Sequence, residues 1–181
     1  MSEHTRFEEL VLPHLDAGFN LARWLARNSE DAEDVVQEAC MRALKYVDSV
    51  RGGDARAWFL TIVRHAFYDW HKRNRPAEVV ADDAAIDLME DPTAIDPEQA
   101  ALRNAESKLL ADAVGELPLA FREVLILREL EDLSYKEIAR IADIPIGTVM
   151  SRLARARSLL QRSPLLQAIR GGRAEVNHEM R

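Results

Sequence analysis

The stretch SYKEIARIADIPIGTVMSRLARARSLLQR, residues 134–162, decides how this chain folds. It begins with a capping box, in which the Ser134 hydroxyl and the Glu137 carboxylate can each accept a hydrogen bond from a free helix N–H. A short helix to Ala142 follows, Asp143-Ile144-Pro145 interrupts it, and residues 146–161 continue as a longer helix rich in arginine. A short capped helix, a tight break and a longer basic helix together predict a helix-turn-helix.

The longer helix has two different faces. Apolar residues at helical spacing form one face, which we expect to pack against the short helix: Val149, Leu153, Ala156 and Leu160. The opposite face presents Thr148, Ser151, Arg152 and Arg155. It suits the major groove, because arginine can donate two hydrogen bonds to a guanine edge. Arg157 and Arg162 lie off this face and are better placed for phosphate. A solvated arginine-rich helix in an ordinary bundle is the alternative interpretation.

The rest of the chain is predicted to be helical as well. Apolar residues recur at helical spacing over most of the 181 residues, seven glycines are present, and alternating β-branched runs are absent, so the expected fold class is all-α. Residues 76–97 contain three prolines and many acids, which is typical of a flexible linker. The linker divides the chain into a first helical unit, 1–75, and a second, 98–162. We expect the C-terminal tail, 163–181, to fray.

Three helices are expected in the first unit. The apolar spacing from Phe7 to Leu25 predicts one amphipathic helix, and a second helix should begin at Asn28 or Ser29, either of which can cap it. A turn at residues 49–54 precedes a third helix. Its inner face is expected to contain Trp58, Phe59, Ile62, Val63, Ala66, Phe67 and Trp70.

The outer face of the third helix combines cations with an aromatic ring: Thr61, Arg64, His65, Tyr68, Lys72 and Arg75. Single-stranded DNA requires such a mixture, since the charges hold the backbone and the ring stacks on an unpaired base. The turn before the helix has two glycines between Arg51 and Arg56, which would let the backbone approach a flipped base. The alternative is that Tyr68 covers the edge of the core and the cations are simply solvated.

The second helix exposes a stripe that cannot bind DNA. This stripe consists of Asp34, Gln37, Glu38, Met41 and Lys45, and it is mainly acidic and amide-bearing with one apolar contact. A solvated helix surface would have this composition. The more specific hypothesis is that this stripe is a docking surface for a basic protein partner.

Charge and composition limit the other classes of function. The net charge is −7, but residues 51–75 have six Lys or Arg against two acids, and residues 144–162 have four Arg and no acid. The net charge therefore conceals two basic segments separated by the acidic linker. This uneven distribution indicates both negatively and positively charged partners. Cys40 cannot form an internal disulfide, and no metal-ligand spacing, phosphate-binding loop or nucleophile with an evident base is present. We expect no cofactor, no catalytic activity and, without a signal peptide or membrane span, a cytoplasmic protein.

Three stretches in register resemble one family. DAEDVVQEA (31–39), AWFLTIVRH (57–65), and SYKEIA with PIGTVMSRLARAR (134–139 and 145–157) are similar to the extracytoplasmic-function (ECF) sigma factors of the sigma-70 family. The likeness covers both helical units in family order. It implies a sigma region 2 bundle and a sigma region 4 helix-turn-helix, which serve a non-catalytic specificity subunit of RNA polymerase.

The resemblance also implies a role for each surface. The stripe Asp34, Gln37, Glu38 and Met41 would dock on the coiled coil of the polymerase β′ subunit, and the helices before residue 134 would hold the β flap. The melted minus-ten element would be held by Arg51, Asp54, Arg56, Thr61, Arg64, His65, Tyr68, Lys72 and Arg75. The minus-thirty-five duplex would be bound by Thr148, Met150, Ser151, Arg152, Arg155 and Arg157.

The resemblance further implies an anti-sigma protein that covers both units. Two residues depart from the family pattern: Met150 stands where many relatives have Lys or Arg, and Met41 stands where an aromatic residue is common. The alternative function is a stand-alone helix-turn-helix regulator that uses only residues 105–162 and binds duplex DNA as a dimer.

Overall fold

The computed structural model describes residues 3–50, 52–74 and 97–169, with the side chains described from residue 5 and from residue 103 in the first and last of these ranges. Within them lie eight α-helices of eight residues or more. These are α1 (Glu3–Leu10), α2 (Leu15–Ala26), α3 (Ser29–Tyr46), α4 (Ala55–Asn74), α5 (Pro97–Gly115), α6 (Leu119–Glu129), α7 (Tyr135–Ala142) and α8 (Ile146–Arg162). The described ranges contain no β-strand, so the all-α prediction is confirmed. No helix in them is long and apolar enough to cross a membrane.

The prediction of a single helix from Phe7 to Leu25 was wrong. The chain instead forms α1, a 3-10 turn at Leu12–His14, and then α2. Pro13 lies within that turn and explains the break, since its ring clashes with the carbonyl four residues earlier and it lacks an N–H to donate.

Helices α2, α3 and α4 pack against one another to form the bundle of the first unit. Asn28 is the N-cap of α3, and its side chain accepts a hydrogen bond from the Asp31 amide at 2.7 Å. Phe59, Val63 and Phe67 on α4 are at most 1% exposed, as expected of the inner face. Gly18 allows a close approach between helices, because a Cβ at this position would lie 2.6 Å from the Phe59 ring.

The second unit is assembled from α6, α7 and α8. Pro118 is the N-cap of α6, and α5 ends at Gly115. Both halves of the capping box at the start of α7 are present: Ser134 Oγ accepts from the Glu137 amide, and Glu137 Oε2 accepts from the Ser134 amide at 2.7 Å. Asp143 ends α7 in the left-handed conformation with φ 53°. The helix-turn-helix geometry therefore follows the sequence pattern closely.

The predicted linker lies almost wholly outside the described residues, since α4 ends at Asn74 and α5 begins at Pro97. Residues 164–169 of the predicted tail are helical, and the remainder lies outside the described residues. The two units pack directly on each other, with α6 against α2 and α7 against α4. Their buried apolar side chains form one continuous cluster that runs from Val11 to Ala156.

Candidate nucleic-acid interface

Helix α8 is anchored by a buried stripe. Val149, Leu153 and Ala156 are at most 1% exposed, and α8 packs against both α6 and α7. This packing fixes the rotation of the helix about its axis. The arginines at the other positions of the helix therefore have defined directions.

The six residues predicted to bind duplex DNA are not equally available. Met150, Ser151, Arg155 and Arg157 are exposed, whereas Thr148 and Arg152 are half-buried. Arg157 Nη2 donates to Glu129 Oε1 at 2.7 Å in a surface ion pair, which raises the arginine pKa. Burial raises the pKa of both Glu123 and Tyr68, and the positive charge of Arg152 is the smallest of the effects that oppose these rises. One side of α8 is thus exposed, while Arg152 and Thr148 are partly covered.

The turn before helix α4 contains two glycines, so its backbone is not shielded by side chains there. Gly52 and Gly53 have φ values of 67° and 106°, which favour glycine. Asp54 caps the helix, and its Oδ1 accepts from the Arg56 amide at 3.0 Å and from the Ala57 amide at 3.3 Å. This gives Asp54, predicted as a strand-binding residue, a clear local role. Arg51 was predicted to bind the strand but lies outside the described residues.

The remaining predicted strand-binding residues on α4 fall into two groups. His65 and Lys72 are exposed, while Thr61 is half-buried and donates its hydroxyl to the Ala57 carbonyl at 2.8 Å. Arg75 lies outside the described residues. The second group consists of Arg56, Arg64 and Tyr68, whose side chains bind acids of the second unit.

Arg64 and Tyr68 both bind one buried acid. Arg64 Nε donates to Glu123 Oε1 at 2.5 Å, and the Tyr68 hydroxyl donates to Glu123 Oε2 at 3.3 Å. The Arg64 guanidinium also lies over the Tyr68 ring, 4.6 Å from its centroid. Burial raises the pKa of Tyr68 to about 12, and burial likewise raises the pKa of Glu123 even though Arg64 opposes the rise.

Arg56 has a similar partner. Its Nη2 donates to Glu131 Oε2 at 2.5 Å, and Asn20 Nδ2 on α2 donates to Glu131 Oε1 at 2.8 Å. The Glu131 side chain is only 5% exposed. One carboxylate of the second unit thus binds two elements of the first.

Sequence reasoning missed Glu123, Glu131 and Asn20. A signal was available for Glu123, which interrupts the apolar run FREVLIL at residues 121–127, where a charged residue is rarely buried without a partner. Nothing in the sequence around Glu131 or Asn20 indicates that these two residues meet.

The stripe on α3 is accessible as predicted. Asp34, Gln37 and Met41 are exposed, Met41 by 65%, and Glu38 is half-buried. Glu38 Oε1 accepts from Arg42 Nε at 2.8 Å, and Arg42 Nη1 donates to Asp69 on α4 at 2.7 Å. The hydrogen bond from Arg42 lowers the pKa of Asp69. Arg42 therefore links α3, which carries the stripe, to α4.

The described residues contain no group of three or more His, Cys, Asp or Glu side chains that could hold a metal ion. The surfaces that remain are a stripe of acids with an exposed methionine, a face of cations with a tyrosine, and an arginine-rich helix. These surfaces suit binding to protein and nucleic acid.

Two protein-family models match the chain. The Sigma-70 region 2 model matches residues 10–77, and the Sigma-70, region 4 model matches residues 107–160. The first match contains α2, α3 and α4, and the second contains α6, α7 and α8 up to residue 160. The stripe on α3, the outer face of α4 and the α8 arginines up to Arg157 all fall inside matched segments.

Curated relatives match over most of the chain. The ECF RNA polymerase sigma factor SigE of Mycolicibacterium smegmatis is 34% identical over 160 residues, which are 86% of this chain and 60% of the relative. The chain thus spans less than two thirds of that relative. The ECF RNA polymerase sigma-E factor of Haemophilus influenzae is 35% identical over 148 residues, which are 78% of this chain and 77% of the relative.

Solved structures share the fold. The sigma factor RpoE in complex with the anti-sigma factor NepR, from Bartonella quintana, superposes with a TM-score of 0.71 and 30% identity, covering 89% of this chain and 96% of that one. CnrH in complex with the cytosolic domain of CnrY gives a TM-score of 0.61 with 27% identity, covering 90% and 88%.

Proposed function

Because the chain belongs to the sigma-70 family, as an ECF sigma factor, we propose that it binds core RNA polymerase and directs it to one class of promoters. The polymerase performs the chemistry, and this chain is a non-catalytic specificity subunit that acts in the cytoplasm. The order of its three surfaces along one chain is the observation that best supports this role: an acidic stripe on α3, a face of cations with a tyrosine on α4, and an arginine-rich helix α8.

Core polymerase docks on α3. The exposed positions Asp34, Gln37 and Met41 offer charge, an amide and an apolar contact to the coiled coil of the β′ subunit. Glu38 completes the stripe, and the hydrogen bond from Arg42 fixes its orientation. The second unit holds the β flap through the helices that precede α7.

The melted minus-ten strand binds along the outer face of α4 and the turn before it. Cations on this face attract the phosphates, and the Tyr68 ring is a stacking platform for an unpaired base. Gly52 and Gly53 support a pocket at the turn, because they have no side chains and their positive φ values favour glycine at both positions. Arg56 and Arg64 are the described arginines of this face assigned to its phosphates.

The upstream minus-thirty-five element binds to α8 as duplex. Ser151 and Arg155 lie on its exposed side and reach base edges or phosphates in the major groove. Arg152, which is half-buried, belongs to the same face. Met150, which is 53% exposed, offers an apolar contact that suits a thymine methyl group better than a guanine edge.

An anti-sigma protein is a further proposed partner. One solved neighbour of this chain is the sigma factor RpoE in complex with the anti-sigma factor NepR, and another is CnrH in complex with the cytosolic domain of CnrY. The arrangement of both units is shared with the first of these over 89% of this chain, which supports a partner of the same kind.

Transcription with purified components tests the function. The chain is mixed with core polymerase and genomic DNA fragments, and run-off product is expected only when the chain is present. Asp34→Lys should reduce the product, because it reverses a charge in the docking stripe, whereas Glu8→Lys, an exposed acid on α1, should leave it unchanged. Specific duplex binding by the chain alone, without polymerase-dependent transcription, would instead indicate a stand-alone regulator.

A further inference from the structure

Arg6 on α1 reaches the turn that precedes α4. Its guanidinium donates from Nη2 to the carbonyl of Val50, which lies 44 residues further along the chain, and its Nη1 lies 3.8 Å from Asp48 Oδ1. Val50 is the residue at which the chain leaves a 3-10 helix, Val47–Ser49, and enters the turn. Arg6 therefore holds the first end of the turn from a distant part of the sequence.

Helix α1 is a fixed support for this contact. It packs against the 3-10 helix and against α3, and its side chains Phe7 and Leu10 are partly buried against the core. Val11, directly after α1, is fully buried, and its amide donates to the Phe7 carbonyl at 2.8 Å. The Arg6 side chain, which is 31% exposed, thus extends from a helix whose position is set by the core and not by the turn.

The two ends of the turn are paired, and its glycines are open. Both backbone polar groups of Val50 have partners, since its amide donates to the 3-10 helix at 3.3 Å and its carbonyl accepts from Arg6. At the other end, Asp54 accepts from amides of α4. A Cβ at Gly52 or Gly53 would meet no atom of the described residues within 4 Å. Because glycine leaves the backbone the most freedom, the path of the turn depends on how its ends are held.

We propose that Arg6 is a positioning residue for recognition of the melted minus-ten element. It holds the Val50 carbonyl, so that the turn keeps the shape of the base pocket, and it acts on the base only through the turn. The Sigma-70 region 2 model matches residues 10–77, so Arg6 lies outside the matched segment. This inference rests on the proposed function, since the pocket at the turn belongs to that proposal.

The alternative role for Arg6 is a direct contact with a DNA phosphate. The guanidinium is already directed at a backbone carbonyl and a carboxylate of this chain, which favours the positioning role. A phosphate contact would strengthen binding whether or not a base fills the pocket. A positioning role strengthens binding only when the base is present, so the two roles differ in a measurable way.

The test measures how much one base contributes to binding, with and without Arg6. The natural chain and its variants are each combined with core polymerase, and promoter fragments recovered by run-off transcription supply the DNA sequence. The DNA is duplex upstream and single-stranded over the minus-ten element, and each base of that strand is replaced in turn by an abasic site. The position with the largest loss identifies the pocket base. The readout is the ratio of the affinities for the intact and the abasic DNA.

Arg6→Met should lower this ratio by about fivefold or more, because fixing the backbone of one residue costs at least about that factor in binding. Its affinity for the abasic DNA should equal that of the natural chain. Arg6→Lys keeps the positive charge and a donor group, so it should recover most of the ratio. Arg140→Met removes the same charge from an exposed position on α7 and should leave the ratio unchanged.

Equal loss of affinity for both DNAs in Arg6→Met would overturn the proposal, because it would indicate a phosphate contact or a general loss of stability. An unchanged ratio would overturn it as well. If thermal unfolding shows that Arg6→Met does not fold, Asp48→Asn is measured in its place. It removes the charge beside the guanidinium, leaves α1 intact, and should lower the ratio by about two- to threefold. No change in that variant counts against the proposal.

The failure of this inference is distinguishable from failure of the proposed function. If the natural chain gives run-off product but no abasic site weakens its binding, the pocket and the role of Arg6 are refuted while the sigma function stands. If the natural chain gives no product with core polymerase, the proposed function itself is refuted.

Discussion

Replacing Arg122 with methionine should destabilise the chain strongly. Arg122 is 7% exposed, and its Nη1 donates to the Gly115 carbonyl at 2.5 Å while its Nη2 donates to the Leu25 carbonyl at 3.2 Å. Gly115 is the last residue of α5, and Leu25 lies in the last turn of α2. The guanidinium thus satisfies carbonyls at two helix C-termini, where a positive charge is favourable.

The magnitude follows from these two hydrogen bonds. A bond from a charged donor is worth about 1.5–3 kcal/mol, so two together contribute roughly 3–6 kcal/mol. Methionine fills much of the space of the arginine stem and removes the cost of burying a cation, which offsets part of the loss. We expect the free energy of unfolding to fall by about 3 kcal/mol, equivalent to a Tm lower by about 6–12 °C for a chain of this size.

Urea denaturation followed by tryptophan fluorescence measures this change, since Trp24 on α2 is 8% exposed and lies next to Leu25. Arg103→Met is the matched control, because Arg103 is exposed on α5 and should change stability by less than about 0.5 kcal/mol. If Arg122→Met is as stable as this control, the guanidinium does not link the two helix ends as described.

Three further predictions concern the helix-turn-helix. Arg152→Ala should abolish recognition of the upstream element in run-off transcription while co-elution with polymerase is retained. Arg140→Ala on α7 is its control, and equal loss of both activities would mean that α8 has been misassigned. Ser134→Ala should lower thermal stability by about 1 kcal/mol, because the capping box is lost. The hydrogen bonds from Ser134 lower the pKa of Glu137, so their contribution is present at neutral pH and disappears as the pH falls through that lowered pKa. The difference between the natural chain and the variant should therefore be smaller at pH 2, where only the bond from the Glu137 amide to Ser134 Oγ remains to be lost, than at pH 7, and an equal difference at both pH values would contradict this. Leu153→Ala should cost about 2–5 kcal/mol in chemical denaturation, and a cost below 1 kcal/mol would show that α8 is not anchored by this residue.

The local structure of the second unit was predictable because its signals are short-range. The capping box at Ser134 and the break at Asp143 each depend on a few neighbouring residues, and the structure has both. In the first unit, by contrast, a pattern over many residues gave the wrong prediction. Apolar periodicity from Phe7 to Leu25 predicted a single helix, and the backbone effect of Pro13 outweighed it.

The packing of one unit on the other was not predictable from the sequence pattern. Arg64 and Glu123 are 59 residues apart, and Arg56 and Glu131 are 75 apart, so no local periodicity connects them. Both arginines were assigned from composition to a DNA-binding face. The same charge that suits them to phosphate also suits them to a carboxylate, and only the three-dimensional arrangement distinguishes the two partners.

Co-elution with core RNA polymerase tests the sigma function most directly. The purified full chain and core enzyme are mixed at low ionic strength, with no inhibitor protein present, and separated by gel filtration. We expect the chain to move into the polymerase peak, and Asp34→Lys to elute later as free protein while Glu8→Lys co-elutes. If the natural chain stays separate from the polymerase under these conditions, it is not a sigma subunit.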